Sequence, residues 1–147
     1  MATAIIAAAA ALLGAVVAGL MQYLIHRTLR RERRRQDAVE ALSSLLGAAT
    51  DYRAHQYLKQ TMRELGLDEP LEARAMRYEV RAKVTKAMVA VRLTVSDQRI
   101  LDLADVLLTT SFTLGDVPDD LPTARSIAIS AHNALQDAAA HFVRRTS

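Results

Sequence analysis

The residues able to do chemistry are few and scattered. The chain has four histidines (His26, His55, His132 and His141) and no cysteine. A helical metal site needs ligands about one turn apart, and none of the four belongs to an HxxxH or HExxH pair. His132 and His141 are nine residues apart, which on one helix places them roughly half a turn out of phase. His55 follows Asp51 by four residues, an ordinary helix-surface pairing. Asp102 and Asp105 come nearest to a carboxylate pair for acid–base work. They share one polar stripe with no second cluster facing them, so solvation is the role expected of them. No glycine-rich phosphate loop and no GxSxG elbow occurs. Without cysteine, disulfides, thiol catalysis and thiolate-bound metals are excluded. The sequence thus assigns no catalytic residue, no cofactor and no metal, and the expectation is a protein that is not an enzyme.

Charge is concentrated elsewhere. The stretch "HRTLRRERRR", residues 26–35, holds Arg27, Arg30, Arg31, Arg33, Arg34 and Arg35 against a single glutamate, a net +5. Residues 36–147 carry 13 Lys/Arg against 15 Asp/Glu, a net −2. The basic balance therefore belongs to one short collar, which argues against a domain with a broad nucleic-acid-binding face. Directly before the collar, Ala2–Ile25 contains no ionisable side chain except the Tyr23 phenol. A helix of that length, at about 1.5 Å per residue, matches a hydrocarbon core of roughly 30 Å. A signal peptide would carry its positive charge before the apolar run, not after it.

These features predict a single-pass helix in the cell membrane over residues 1–25. Its arginine collar, residues 26–35, holds the following chain in the cytoplasm and leaves the N-terminus outside. The six arginines are expected to contact anionic lipid headgroups, each attracted by about 1 kcal/mol near the surface. Ala7, Ala11, Ala15 and Gly19 recur every four residues, a small-residue face suited to self-association of the span into a homo-oligomer.

The remainder reads as helix. Alanine and leucine are abundant, aromatics make up 4% of the chain, and three prolines and five glycines are too few to punctuate strands. Apolar residues at three- and four-residue spacing predict helices over about 36–65, 69–95, 97–114 and 123–144. The first should bury Val39, Leu42, Leu45, Leu46, Ala49, Tyr52, Leu58, Met62 and Leu65. The second should bury Ala73, Met76, Val80, Val84, Ala87, Val91 and Val95, with Arg74, Arg77 and Arg81 on another face. The third offers Ile100, Leu101, Leu103, Ala104, Leu107 and Leu108, opposite Gln98, Asp102, Asp105 and Thr109. The fourth offers Ile127, Ala131, Ala134, Leu135, Ala138 and Phe142. Gly66 is the expected C-cap of the first helix, Asp68 and Ser96 the expected N-caps of the next two, and Pro70 fits a first turn. Residues 71–95 carry six positive and two negative charges and residues 96–120 one positive and six negative, so ion pairs between these helices are expected. The fold class is all-α: an N-terminal transmembrane helix continuing into a cytoplasmic antiparallel helical bundle, residues 36–147, with coiled-coil-like packing.

The segments "YLIHRTLRRERRR" and "VTKAMVAVRLTVSDQRILDLADVLL" resemble a class of short actinobacterial single-span proteins. Several of these accompany mobile or conjugative elements. The resemblance covers most of the chain and supplies no functional residues. The anchor, the bundle and the lack of a chemical motif together predict a membrane-anchored scaffold whose bundle binds itself or a protein partner. A membrane-tethered nucleic-acid-binding accessory protein of plasmid transfer is the second reading, although nucleic acid is disfavoured as a partner. A small-ligand sensor or enzyme in the bundle core is the third.

Overall fold

A computed structural model describes the backbone of residues 2–115 and 120–145 and the side chains of residues 18–115 and 120–144. Among these residues the regular structure is entirely helical: α1 (Ala2–Glu64), α2 (Leu71–Thr94), α3 (Gln98–Thr113) and α4 (Leu121–Arg145). The chain divides into two compact units, Met1–Gln36 and Asp37–Ser147.

The expected span falls largely on residues 1–17, and these side chains, including Ala7, Ala11 and Ala15, lie outside the described set. Among the described residues no helix is long and apolar enough to cross a membrane. Gly19 is described, and a Cβ built on it meets nothing within 4 Å.

In the second unit all four helices contribute to one core. Leu42, Leu45, Ala49 and Tyr52 of α1, Val84 and Val91 of α2, Ile100, Ala104 and Leu107 of α3, and Leu135 of α4 are buried together. Each large aliphatic side chain removed from water contributes about 1.5–3 kcal/mol. Arg81 lies over the Phe112 ring and Arg92 reaches Asp105, so ascending positions on α2 meet descending ones on α3 and the two run antiparallel. The backbones of α3 and α4 make the closest interhelical approach. Small buried residues on both, Ala104 and Ser111 against Ala128 and Ala131, suit that spacing.

The junctions follow from local chemistry. Gly66 adopts φ +67°, a left-handed conformation that glycine enters without steric cost. There the Gly66 N–H donates to the Arg63 carbonyl and the Leu67 N–H to the Met62 carbonyl, a Schellman closure of α1. Pro70, rather than Asp68, occupies the N-cap of α2, with no side-chain cap. Asp97, rather than Ser96, caps α3, accepting the Arg99 N–H at 3.0 Å.

Several expected core positions are exposed instead. Val39, Leu58 and Leu65 of the α1 segment are 38%, 50% and 68% exposed, and Met76 and Ile127 are 55% and 52% exposed. Ala134 is also exposed, and Leu101, Leu103 and Leu108 are half-buried. In their place Arg53, Gln56 and Gln60 of α1 and Ala128 of α4 are buried. The second half of α1 faces the carboxyl end of α3, where free carbonyls need donors rather than hydrocarbon. Gln60 Nε2 and Lys59 Nζ donate to the Gly115 carbonyl at 3.3 and 3.4 Å.

Candidate functional site

Two places in the molecule gather functional groups, one in each unit. In the first unit Arg27, Arg30, Arg31, Arg33 and Arg34 are exposed, whereas Arg35 is half-buried and reaches Glu32 at 3.7 Å. Tyr23, His26, Arg27, Arg30, Arg31 and Arg34 line a common groove along α1. Just before them Leu20, Met21, Leu24 and Ile25 are each more than half exposed. The same short segment therefore carries bare apolar surface and a dense cationic surface in succession.

The second place is a cleft of about 280 Å³ in the bundle, lined by Tyr52, Gln56 and Lys59 of α1, Arg77, Tyr78 and Arg81 of α2, and Phe112 and Thr113 of α3. Its floor is aromatic. The Tyr52 and Phe112 rings meet edge to face, 5.2 Å apart and inclined at 76°, the arrangement favoured by ring quadrupoles. The Arg81 guanidinium sits 4.8 Å from the Phe112 centroid, stacked as a cation on a ring face. Buried Gln56 donates from Nε2 to the Tyr52 hydroxyl, while its Oε1 is buried with no partner among the described residues.

Charge in the cleft is unevenly compensated. Arg77 pairs with Glu69, to which Arg74 also reaches at 3.8 Å. The hydrogen bond from Arg77 holds the Glu69 carboxyl below the ordinary glutamate value, and Glu69 raises Arg77 in return. Lys59 and Arg81 form no ion pair with a described carboxylate. The lining carries three cations, Lys59, Arg77 and Arg81, and no carboxylate; Glu69 pairs with Arg77 from beside it.

The four histidines do not converge. Among the described residues no group of three metal-ligating side chains occurs. His132 instead meets buried Arg53, whose Nη2 lies 3.1 Å from His132 Nδ1. Arg53 also donates to the Ala128 carbonyl at 2.9 Å and to Thr50 Oγ1 at 3.2 Å. Burial, and then Arg53, push the His132 pKa down. The charged stripes of α2 and α3 do meet, in the Arg92–Asp105 pair at 2.7 Å. Both partners are exposed, so the pair contributes at most about 1 kcal/mol. Asp102 accepts only from Gln98, at 2.8 Å on its own helix.

Sequence reasoning missed the cleft. Arg77 and Arg81 were legible as a stripe on α2, but the ring beneath Arg81 comes from α3 and the buried glutamine from α1. The available signal was Gln56 and Gln60, two polar residues one turn apart that follow Tyr52 along the buried face.

Comparison with known proteins agrees with the bundle. The family profile described as "KilB plasmid transfer protein" matches residues 39–143, almost the whole of the second unit. The chain is similar to Protein KilB of Streptomyces lividans, with 33% identity over 93 residues that make up 62% of this chain and 63% of that protein. The chain thus spans less than two thirds of the length of the curated relative it matches. No solved structure matches it.

Proposed function

This chain belongs to the KilB plasmid transfer protein family, and from that membership we propose that it is a membrane-anchored, non-enzymatic accessory protein of plasmid transfer. Its helical bundle is the working part, a scaffold that binds a protein partner or a second copy. The observation that carries the reading is the extent of the family match, residues 39–143, which is the bundle rather than the apolar N-terminal segment.

Anchoring rests on the sequence of the first unit. Residues 2–25 carry no charge and the next ten carry a net +5. The run of exposed Leu20, Met21, Leu24 and Ile25 is apolar surface that requires a cover, and lipid supplies it. The collar then lies at the headgroups, with the bundle in the cytoplasm and the N-terminus outside. The four-residue recurrence of Ala7, Ala11, Ala15 and Gly19 in the sequence is the small-residue pattern through which spans would associate.

A nucleic-acid-binding role in the same process is the second reading, favoured by the arginine collar. It predicts a salt-dependent shift of DNA, with affinity falling steeply as salt rises and lost when the collar is neutralised. Plasmid transfer between mating cells, scored with and without the chain, tests the primary reading; transfer that does not need the chain would refute it.

A further inference from the structure

We infer that the outward face of α2 pairs with the same face of a second copy, antiparallel, to form a homodimer. The pairing rests on the scaffold reading above and gives that scaffold its surface for a second copy. α2 is apolar on two opposite sides. It buries Val80, Val84, Ala87 and Val91 in the core. Roughly half a turn away, within an arc of about 60°, lie Leu71, Ala75, Tyr78, Ala82, Val89 and Leu93, all exposed. The four larger ones are between 52% and 81% exposed. No charged residue of α2 falls inside this arc.

The spacing fits a helix as the cover. Steps along the face are four, three, four, seven and four residues, with Thr85 filling the longer gap in phase. That follows the 3.5-residue repeat by which two helices pack along a seam. From residue 71 to residue 93 the seam is about 33 Å long. Single exposed apolar side chains need no cover, but a continuous row of this length does. Large Leu71 and Tyr78 alternate with small Ala75 and Ala82. An antiparallel pair sets the large positions of one copy against the small positions of the other, so the rows interdigitate. A parallel pair would set like against like.

Charge selects a second copy. Glu72, Glu79, Lys83 and Lys86 border one side of the seam, and Arg74, Arg81 and Arg92 the other. An antiparallel pairing centred near Ala82 brings Glu79 of each copy beside Lys86 of the other, giving two equivalent ion pairs. Lys86 has no ion pair among the described residues, and Glu79 makes only a surface pair with Lys83 on its own helix. The same pairing brings the arginine borders together, but each arginine is already engaged within its own chain. Arg74 reaches Glu69, Arg81 lies over the Phe112 ring and Arg92 pairs with Asp105. A parallel pairing would instead place Lys86 beside Arg81. An anionic bilayer is a poor cover, because Glu72 and Glu79 border the seam where a lipid-binding helix carries cations.

Sedimentation of the full chain in non-ionic detergent, with cross-linking through introduced thiols, tests the pairing. The chain should sediment as a dimer. Val89→Glu and Leu93→Glu, both at exposed positions, should each weaken the dimer about tenfold or more by burying an unpaired charge. Ile127→Glu, exposed on α4, should leave it unchanged, and circular dichroism should show every variant folded. The chain has no cysteine, so an introduced thiol reports alone. Under mild oxidation Ala82→Cys should cross-link to its own copy, and Leu71→Cys should cross-link to Leu93→Cys but not to itself. A monomeric native chain would overturn the inference. So would a dimer indifferent to Val89→Glu and Leu93→Glu, including one that dissociates on Gly19→Leu and is therefore held by the span. Cross-linking of Leu71→Cys to itself would overturn the antiparallel pairing. The mass of the purified chain does not depend on plasmid transfer. A monomer would therefore overturn the pairing while leaving the transfer role standing, and a dimer lost on Val89→Glu supports it even where transfer proves independent of the chain.

Discussion

Arg53 Nη2 stands 3.1 Å from Nδ1 of His132 inside the bundle, and this contact fixes the protonation of the imidazole. A guanidinium offers only donors and stays charged in proteins. Nδ1 of His132 must therefore be the acceptor, with its proton on Nε2. Burial and the neighbouring cation both disfavour the imidazolium, so the folded-state pKa lies below the ordinary 6.5.

A pH dependence follows. Between the ordinary value and the lowered one the unfolded chain binds the proton and the folded chain does not, so stability rises with pH in that window. It is fully present above about 6.5 and declines as pH falls toward the folded value, by at most about 1.4 kcal/mol per pH unit. Denaturant melts between pH 8 and pH 5 should show the decline, and His132→Asn, which keeps an acceptor but does not titrate, should flatten it. A wild-type profile as flat as the variant's would refute the tautomer assignment. Glu69, whose carboxyl is lowered by Arg77, adds a separate loss only as pH falls through its depressed value.

The core of α3 separates two adjacent leucines. Leu107 is fully buried, Leu103 half-buried and Asp102 exposed. Leu107→Ala should cost about 2–5 kcal/mol, Leu103→Ala less, and Asp102→Asn little. Thermal or denaturant unfolding of residues 36–147, which are expected to fold without the N-terminal segment, measures all three. Equal losses at Leu107 and Asp102 would show that the phase of this helix is wrong.

These same residues show what the sequence made legible. Positions such as Leu42, Leu45, Val84, Val91, Ile100 and Leu135 repeat at helical spacing and are buried as that spacing predicts. The pattern failed where burial is polar. Beyond Tyr52 the inward face of α1 carries Arg53, Gln56 and Gln60 because it meets a helix carbonyl and a ring hydroxyl, and a search for apolar periodicity passes over them to Leu58 and Leu65. In α4 the larger Ile127 drew the face one residue away from Ala128, which is the buried one. Close approach of α3 selects for small size there, and hydrophobicity does not report it. The cleft needs groups from three helices, and only their packing reveals it.

Gly115 is held by contact. A Cβ at this position would fall 2.9 Å from Gln56 Cδ, with Oε1 nearer still. Gln56 is buried and bonded to Tyr52, so it has little room to yield. Gly115→Ala should destabilise the bundle by about 1–3 kcal/mol, the usual cost of overpacking. A companion Gln56→Ala substitution should recover part of the loss in a double-mutant cycle, whereas strict additivity would place the strain elsewhere.

The collar sets orientation in the proposed membrane state. Replacing Arg30, Arg31, Arg33, Arg34 and Arg35 with glutamine should weaken cytoplasmic retention and give mixed topology. A reporter fused after Ser147 that is active only outside the cytoplasm should be silent in the native chain and gain activity in the substituted one. Activity in the native chain would reverse the assignment.

The role in plasmid transfer is tested most directly by the fraction of recipient cells that acquire a plasmid from donors lacking this chain. Transfer should fall without it, return when the full chain is supplied, and stay low when only residues 36–147 are supplied, because the bundle then lacks its anchor. Transfer at the native level in donors without the chain would contradict the assigned role, and full rescue by residues 36–147 would contradict the anchor.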